Sequence, residues 1–268
     1  MGTDADRGDR LDRARIAADL SGLGLPAGGD LIVHCGITRL GPIMGGAGAV
    51  VEALFDVAGP QATLVVPTQT ANNSTTSPAY REATRGLSDE DRVAYEGRMP
   101  GFDPATTRSY RMGALAEYVR KLPEAHRSGH PQTSFAALGP RAKSLMAVHD
   151  LDCHLGEASP LGPLYHSGAW IVLLGVGFKV CTALHLAEYR VPHRSRRRPH
   201  RCFVMEDGRR VQRDFLAPHL DDHDFDDLGA DLRREPFVRA GRVGQAEALA
   251  LPMREAVDFA ETWMHARP

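Results

Sequence analysis

The chain has 268 residues, room for one large domain or two small ones. Hydrophobic residues make up 43% and charged residues 25%, an ordinary globular mixture, and 32 basic against 34 acidic residues leave a formal charge of −2 that draws the protein to neither nucleic acid nor membrane. The four cysteines (Cys35, Cys153, Cys181, Cys202) form no CxxC pair, which argues against a disulfide scaffold or zinc ribbon, and no apolar run approaches the roughly 18 residues a bilayer requires.

The opening MGTDADRGDRLDRARIAADL alternates acidic and basic residues and lacks the apolar core of a signal peptide, so a cytoplasmic location is expected, with residues 1–9 flexible. Leu11 to Leu20 reads as a helix, and the apolar Leu31-Ile32-Val33, bounded by turn signals, as a buried strand. A glycine-rich start opens a helix over Gly45–Phe55, and Thr63–Pro67 is a second strand, completing a strand–helix–strand unit of the α/β kind. From Thr68 to Arg111 no clear period appears; so long a connection in a compact domain is functional or carries small elements of its own.

Helical period returns over Met112–Leu122, a short strand follows at Phe135–Leu138, and Pro140–His149 reads as a helix with proline at its start. Trp170–Leu174 is the clearest strand. It ends in Gly175-Val176-Gly177 before a helix over Thr182–Tyr189. Cys202–Met205 and Val211–Phe215 flank an Asp207-Gly208 turn as a hairpin, and Leu251–Met264 closes the chain as an amphipathic helix. The expectation is one α/β domain over residues 1–268, a mixed central sheet with helices on both faces and a hairpin region near the C-terminus.

His185 and Glu188 carry the first chemical signal. Three apart on a helix, they share a face, and the carboxylate can fix the tautomer of the ring so that its other nitrogen takes a proton from a substrate. They follow the best strand and its glycine turn, and ligands in α/β sheets bind beyond the carboxyl ends of strands. A structural pair has the same spacing, and a metal reading lacks further ligands. Cys181 lies four residues before His185, as a thiol–imidazole pair would require, but a free cysteine is ordinarily a small packing residue.

The loop His34–Gly46 ends in glycines and could receive an anionic or polar cofactor segment on its backbone N–H groups; it is neither a P-loop nor a GxGxxG turn, and a plain strand-to-helix connection fits it equally well. His130, in a turn-rich segment, is a second functional histidine or a turn partner. Val191–Arg201 holds five arginines, and with no interleaved aromatics a solvated loop is the better reading than a nucleic-acid patch. Asp221–Asp227 holds five aspartates in seven residues, either a solvated helix start or one wall of a cation-binding cleft.

Taken together and in order, Gly45-Gly46-Ala47, Thr63–Pro67 running into Thr68-Gln69-Thr70, Met99-Pro100, Phe102-Asp103-Pro104, Met112-Gly113, Arg127-Ser128 with His130-Pro131, Ser134–Ala137, Gly156-Glu157 with Ser159-Pro160, Leu173–Gly177, Thr182 with Leu184–Tyr189, Gly244-Gln245, Asp258-Phe259 and Trp263-Met264 resemble the aminoglycoside 3-N-acetyltransferases, over roughly residues 10–265. The resemblance implies that family's α/β fold and direct transfer of an acetyl group from acetyl-CoA to an amine, with no covalent acyl-enzyme and no metal. His185 matches the family's general base. Glu188 is the first choice for the carboxylate that orients it and Glu157 the second; either could instead bind a cationic substrate. The same analogy runs coenzyme A along Cys35, Gly36, Ile37, Thr38 and Leu40, along Arg111 and Met112, and past Ser134 and Phe135.

Two departures stand out. Where the family has a serine-rich loop after the first strand, this chain has Cys35-Gly36-Ile37-Thr38-Arg39, and only Thr38 keeps a hydroxyl. Where the resistance enzymes carry acidic residues and a tryptophan after Thr68-Gln69-Thr70, it has Ala71-Asn72-Asn73-Ser74-Thr75 and then Tyr80. Amides and hydroxyls preserve hydrogen bonding without charge attraction, which predicts an acceptor less cationic than a typical aminoglycoside unless Asp221–Asp227 supplies the carboxylates. The substrate-facing candidates are therefore Asn72, Tyr80, Asp103 and Asp227. The expected partners are a small-molecule amine and coenzyme A, with no nucleic acid and no membrane; a homodimer is left open. The competing classes are a hydrolase using Cys181 or a serine with His185, and a nucleic-acid binder using Arg194–Arg201.

Overall fold

A computed structural model of the chain describes residues 11–267, so the expectation of flexibility for 1–9 lies outside the described residues. Nine strands occur among them: β1 (Asp30–Cys35), β2 (Thr63–Pro67), β3 (His126–Arg127), β4 (Phe135–Leu138), β5 (Trp170–Leu174), β6 (Arg197–Glu206), β7 (Arg209–Pro218), β8 (Arg239–Val243) and β9 (Ala246–Pro252). Seven form a mixed sheet in the order β3-β4-β2-β1-β5-β9-β8. β1 runs parallel to both β2 and β5, while β4, β9 and the two edge strands are antiparallel to their neighbours.

The helices are α1 (Arg13–Ser21), α2 (Gly46–Ala58), α3 (Pro78–Ala83), α4 (Asp89–Arg98), α5 (Gly113–Arg120), α6 (Ala142–Leu145), α7 (Leu161–Ser167), α8 (His185–Arg190), α9 (Phe225–Leu232) and α10 (Met253–His265). Alternation along the central strands sorts their side chains to two faces. Ile32, Val65, Ile171 and Leu173 enter one core with residues of α6 to α10. Leu31, Val33, Leu64, Val66, Val172 and Leu174 enter the other with residues of α1, α2 and α5. Helices thus cover both faces, and the central strands are apolar at nearly every position because neither face meets water.

β2, β4 and β5 lie where their residue patterns predict them. The hairpin differs from expectation in extent and place. It is longer, β6 beginning at Arg197 inside the supposed arginine loop, and it forms its own two-stranded sheet. Its turn has Asp207 and Gly208 at φ 49° and 74°, the twist that suits a two-residue connection. The antiparallel pairings of the main sheet come instead from β3, β4, β8 and β9. Leu251 belongs to β9 and not to the last helix, because Ala246–Pro252 pairs with β5 through the whole register Trp170↔Pro252 to Leu174↔Ala248. The helix expected over Pro140–His149 is confined to Ala142–Leu145.

Sheet order reverses at β1, whose parallel neighbours β2 and β5 lie on opposite sides. That is where an α/β sheet opens a crevice beyond its strands' carboxyl ends. Arg39 spans the gap, donating from Nη1 to the Gly175 carbonyl at 2.9 Å and tying the loop after β1 to the loop after β5.

Candidate active site

A cavity of about 440 Å³ lies at that crevice. The ends of β1 and β2 contribute His34, Cys35, Gly36, Pro67 and Gln69; the segment before α5 contributes Arg111 and Met112; the loop after β5 and the start of α8 contribute Val176, Lys179, Thr182 and His185. Arg111 is held at φ 58°, a left-handed conformation that a non-glycine side chain adopts at a cost and that concentrates at ligand sites.

His185 opens α8 directly after a 3₁₀ turn (Thr182–Leu184) and is half-buried. Its Nδ1 is hydrogen-bonded to Oε2 of Glu188, whose side chain is 2% exposed. The other Glu188 oxygen accepts the backbone N–H of Asp221 at 3.0 Å. A carboxylate held at both oxygens accepts a hydrogen bond from Nδ1–H, which leaves Nε2 as the basic nitrogen, and Nε2 has no protein partner among the described residues. Phe225, fully buried in α9, lies 4.8 Å from the imidazole centroid and fixes the plane of the ring.

The other sequence candidates divide. Cys35, Gly36, Arg111 and Met112 share the cavity wall with His185. Ile37, Thr38 and Leu40 form a 3₁₀ turn at the edge of the region and are not on that wall; Leu40 is fully buried, and its carbonyl accepts the Gln245 N–H at 3.0 Å. Ser134 and Phe135 are likewise interior. Ser134 donates to the Thr68 carbonyl at 2.9 Å and accepts from Arg127 Nε at 3.1 Å, and Phe135 belongs to the core. Their motif stabilises the sheet edge by giving the half-buried guanidinium of Arg127 its partners.

Glu157 is exposed and engaged by Arg190 at 2.7 and 2.8 Å, so Glu188 is the carboxylate that meets the His185 ring. Tyr80 packs with Met99 and Phe203 and donates to Glu96 at 2.5 Å. Asp103 caps its own turn, accepting the Ala105 N–H at 2.8 Å. Asn72 is exposed, whereas its neighbour Asn73 is buried and clamps Phe203 from both sides, donating to its carbonyl at 2.6 Å and accepting its N–H at 2.9 Å.

Asp227 lies on the wall of a second, larger cleft of about 800 Å³ that reaches Glu188 from the side of α9. Four aspartates (221, 224, 227, 231) and Glu188 face five arginines (194, 196, 198, 234, 267) there. Asp224 is taken by Arg194 at 2.5 Å and Asp231 by Arg234 at 2.7 Å. Part of the acidic segment and part of the arginine run are thus neutralised by partners: Arg197 meets Asp152 at 2.8 Å and Arg201 meets Asp214 at 2.7 Å.

Sequence reasoning missed a third cavity, of about 200 Å³, which shares Gln69 with the first and is lined by Ser74, Thr76, Gln132, His154 and His200 among others. His154 and His200 are far apart in the chain and have no motif spacing, so no local signal marks them. His130 is buried, its Nδ1 accepting the N–H groups of Gln132 and Thr133 at 3.1 Å and its Nε2–H donating to the Leu151 carbonyl; it is a turn partner. Cys181 is fully buried, and burial pushes its thiol up to about 12, so no thiolate is available to act with His185.

Residues 32–265 match the family model described as aminoglycoside 3-N-acetyltransferase. The aminoglycoside N(3)-acetyltransferase III of Pseudomonas aeruginosa is 32% identical over 263 residues, covering 95% of this chain and 93% of that protein. The crystal structure of the YokD protein from Bacillus subtilis superposes with a TM-score of 0.88 at 32% identity, covering 96% of this chain and all of that one. The structure of AAC-IIIb binary with CoASH superposes with a TM-score of 0.83 at 27% identity, covering 96% of this chain and 97% of that one. With a full-length match in sequence and fold, and a His–Glu pair at the mouth of the switch-point crevice, the chain belongs to the aminoglycoside 3-N-acetyltransferase family of acyltransferases.

Proposed function

We propose that this protein transfers the acetyl group of acetyl-CoA to a primary amine of an aminoglycoside or a related hydroxylated amine, with His185 as general base and Glu188 as the residue that orients it. The observation that carries the reading is the Glu188–His185 pair, anchored at both carboxylate oxygens, on a residue that lines the crevice cavity.

The chain's residues suit coenzyme A. Val33, Val66, Met112, Leu115 and Ala116 give the 440 Å³ cavity an apolar flank for a thin aliphatic arm. Arg111, Met112 and Gly113 also line an adjoining cavity of about 610 Å³, where Arg108, Arg111 and Lys121 supply the cations that phosphates require. The bound donor would supply an activated thioester.

An alkyl amine has an ordinary pKa near 10.4 and is mostly protonated at neutrality, so its lone pair must be released where it will react. The amine binds as its neutral form, the ammonium proton left to solvent, and attacks the thioester carbon, forming the C–N bond. Its surplus proton passes to Nε2 of His185, and Glu188 stabilises the imidazolium so formed. As the C–S bond breaks, that proton returns to sulfur and the thiol departs. Holding both reactants beside one imidazole removes the entropy cost of a three-body encounter.

The test is a thiol-release assay with acetyl-CoA over a panel of amines, the product identified by mass. His185→Ala is expected to lower kcat by about 10²–10⁴-fold while coenzyme A still binds. An unchanged kcat in that variant removes His185 from the mechanism.

A further inference from the structure

The third cavity bears on which amine is accepted, a role that rests on the acetyl-transfer reading of the crevice. Its wall holds hydroxyls (Ser74, Thr76, Ser77, Thr133), amides (Gln69, Gln132) and imidazoles (His154, His200, His219), and among the described residues it contains no carboxylate. A polycationic ligand would find hydrogen bonds there but no counter-charge.

The state of His154 is set by its neighbours. Gln132 donates from its amide nitrogen to the carbonyls of Asn73 and Arg201 at 3.2 and 3.1 Å, which fixes Oε1 as its acceptor. Oε1 lies 2.7 Å from Nε2 of His154, so the proton of His154 is on Nε2 and Nδ1 carries a bare lone pair. Nδ1 is buried with no hydrogen-bond partner among the described residues. On His200, Nδ1 meets the Thr76 hydroxyl at 3.0 Å, and Nε2 is buried with no hydrogen-bond partner among the described residues. Both residues are more than nine-tenths buried, at 4% and 8% exposure.

Neither ring can turn away to find a partner. The two rings meet edge to face at 4.6 Å, and Phe215 stacks on His200 at 5.4 Å and packs on His154 at 5.5 Å. Among the described residues no group of three or more His, Cys, Asp or Glu has metal-holding geometry. Buried polar atoms without partners are uncommon and costly in folded proteins, and the two residues that carry these nitrogens both line one cavity beside the crevice.

We infer that His154 and His200 are the residues that select the acceptor, gripping hydroxyl or neutral N–H groups of a single hydroxylated ring that bears the reacting amine and at most one further positive charge. A cavity of about 200 Å³ is below the roughly 300–1,000 Å³ typical of larger ligands, and holds one ring. Burial and the neighbouring imidazoles push His154 down to about 3, and burial lowers His200, so these two rings stay uncharged at neutral pH. Gln69, on both walls, leads from this cavity to the one that His185 lines.

The experiment compares glucosamine, 2-deoxystreptamine and neomycin as acceptors for wild-type protein and variants, with acceptor binding also measured by calorimetry in the presence of coenzyme A. Wild-type kcat/KM is expected to be higher for the first two than for neomycin. His154→Phe, which keeps a ring but removes the acceptor nitrogen, should raise the KM for the small acceptors and weaken their binding by tenfold or more while the coenzyme A Kd is unchanged. His154→Asn, which restores an acceptor oxygen near Nδ1, should recover part of the loss, and His154→Asp should shift preference toward neomycin. A higher wild-type kcat/KM for neomycin, or a His154→Phe protein with unaltered acceptor KM and binding, overturns the inference and leaves acetyl transfer standing. Absence of thiol release with every amine defeats acetyl transfer itself, and the inference with it.

Discussion

A histidine becomes a directed base when something else decides which nitrogen carries its proton, and in this protein Glu188 does so from a buried position in which each of its oxygens is engaged. Glu188→Gln preserves the shape and removes the charge that stabilises the imidazolium. It is expected to lower kcat by about 10–100-fold, a loss of roughly 1.4–2.8 kcal/mol of transition-state stabilisation, with little change in coenzyme A affinity. Glu157→Gln should change kcat less than twofold, since that carboxylate faces solvent against Arg190. Steady-state kinetics of the two variants side by side checks both statements; the reverse ranking would return the orienting role to Glu157. That a carboxylate backs His185 is legible from the i, i+3 spacing. The same spacing puts Glu188 ahead of Glu157; that Arg190 holds Glu157 away from the ring is visible only in the tertiary structure.

At the scale of elements, the site is assembled from segments that sequence patterns describe unequally. The ends of β1 and β2 and the start of α8 follow from apolar runs and glycine turns. α9 does not: its aspartate-rich entry hides Phe225, the ring that packs on His185. Gly229 lets α9 lie against the loop after β5, since a Cβ there would come within 2.5 Å of the Phe178 side chain. Gly229→Ala should destabilise the protein by about 1–3 kcal/mol through overpacking, lowering Tm. It should also lower kcat by displacing Phe225. A variant with wild-type Tm and kcat would show that α9 has freedom the packing denies it. α4 escapes sequence reading for another reason: no residue of it is buried, and it rests on the Ser88 cap and three acidic residues in its first turn.

Across the whole molecule, burial of neutral imidazoles makes stability depend on acidity. Burial pushes His34 and His149 down to about 4 and His154 to about 3, and lowers His130 and His200 as well. The unfolded chain takes up protons at these positions below about pH 6.5, whereas the folded chain refuses them until pH approaches the lowered values. Stability is therefore fully present above about pH 6.5 and lost as pH falls toward 4, at about 1 kcal/mol per histidine per pH unit. Urea midpoints at pH 7.5, 6 and 5 should fall steeply over the last interval; a level midpoint would mean that the buried rings take up protons while folded.

The residues alone determined the parallel centre of the sheet, the two helix-covered faces and the His185–Glu188 pair, because each arises from short-range periodicity that local chain geometry imposes. Only the tertiary structure decided the strand identity of Ala246–Pro252, the separation of the hairpin from the main sheet, the burial of Ser134 and Phe135, and the meeting of His154 with His200. Those outcomes depend on which surfaces remain to be covered once the core has formed and on partners far away in the chain, and no local pattern encodes such distances.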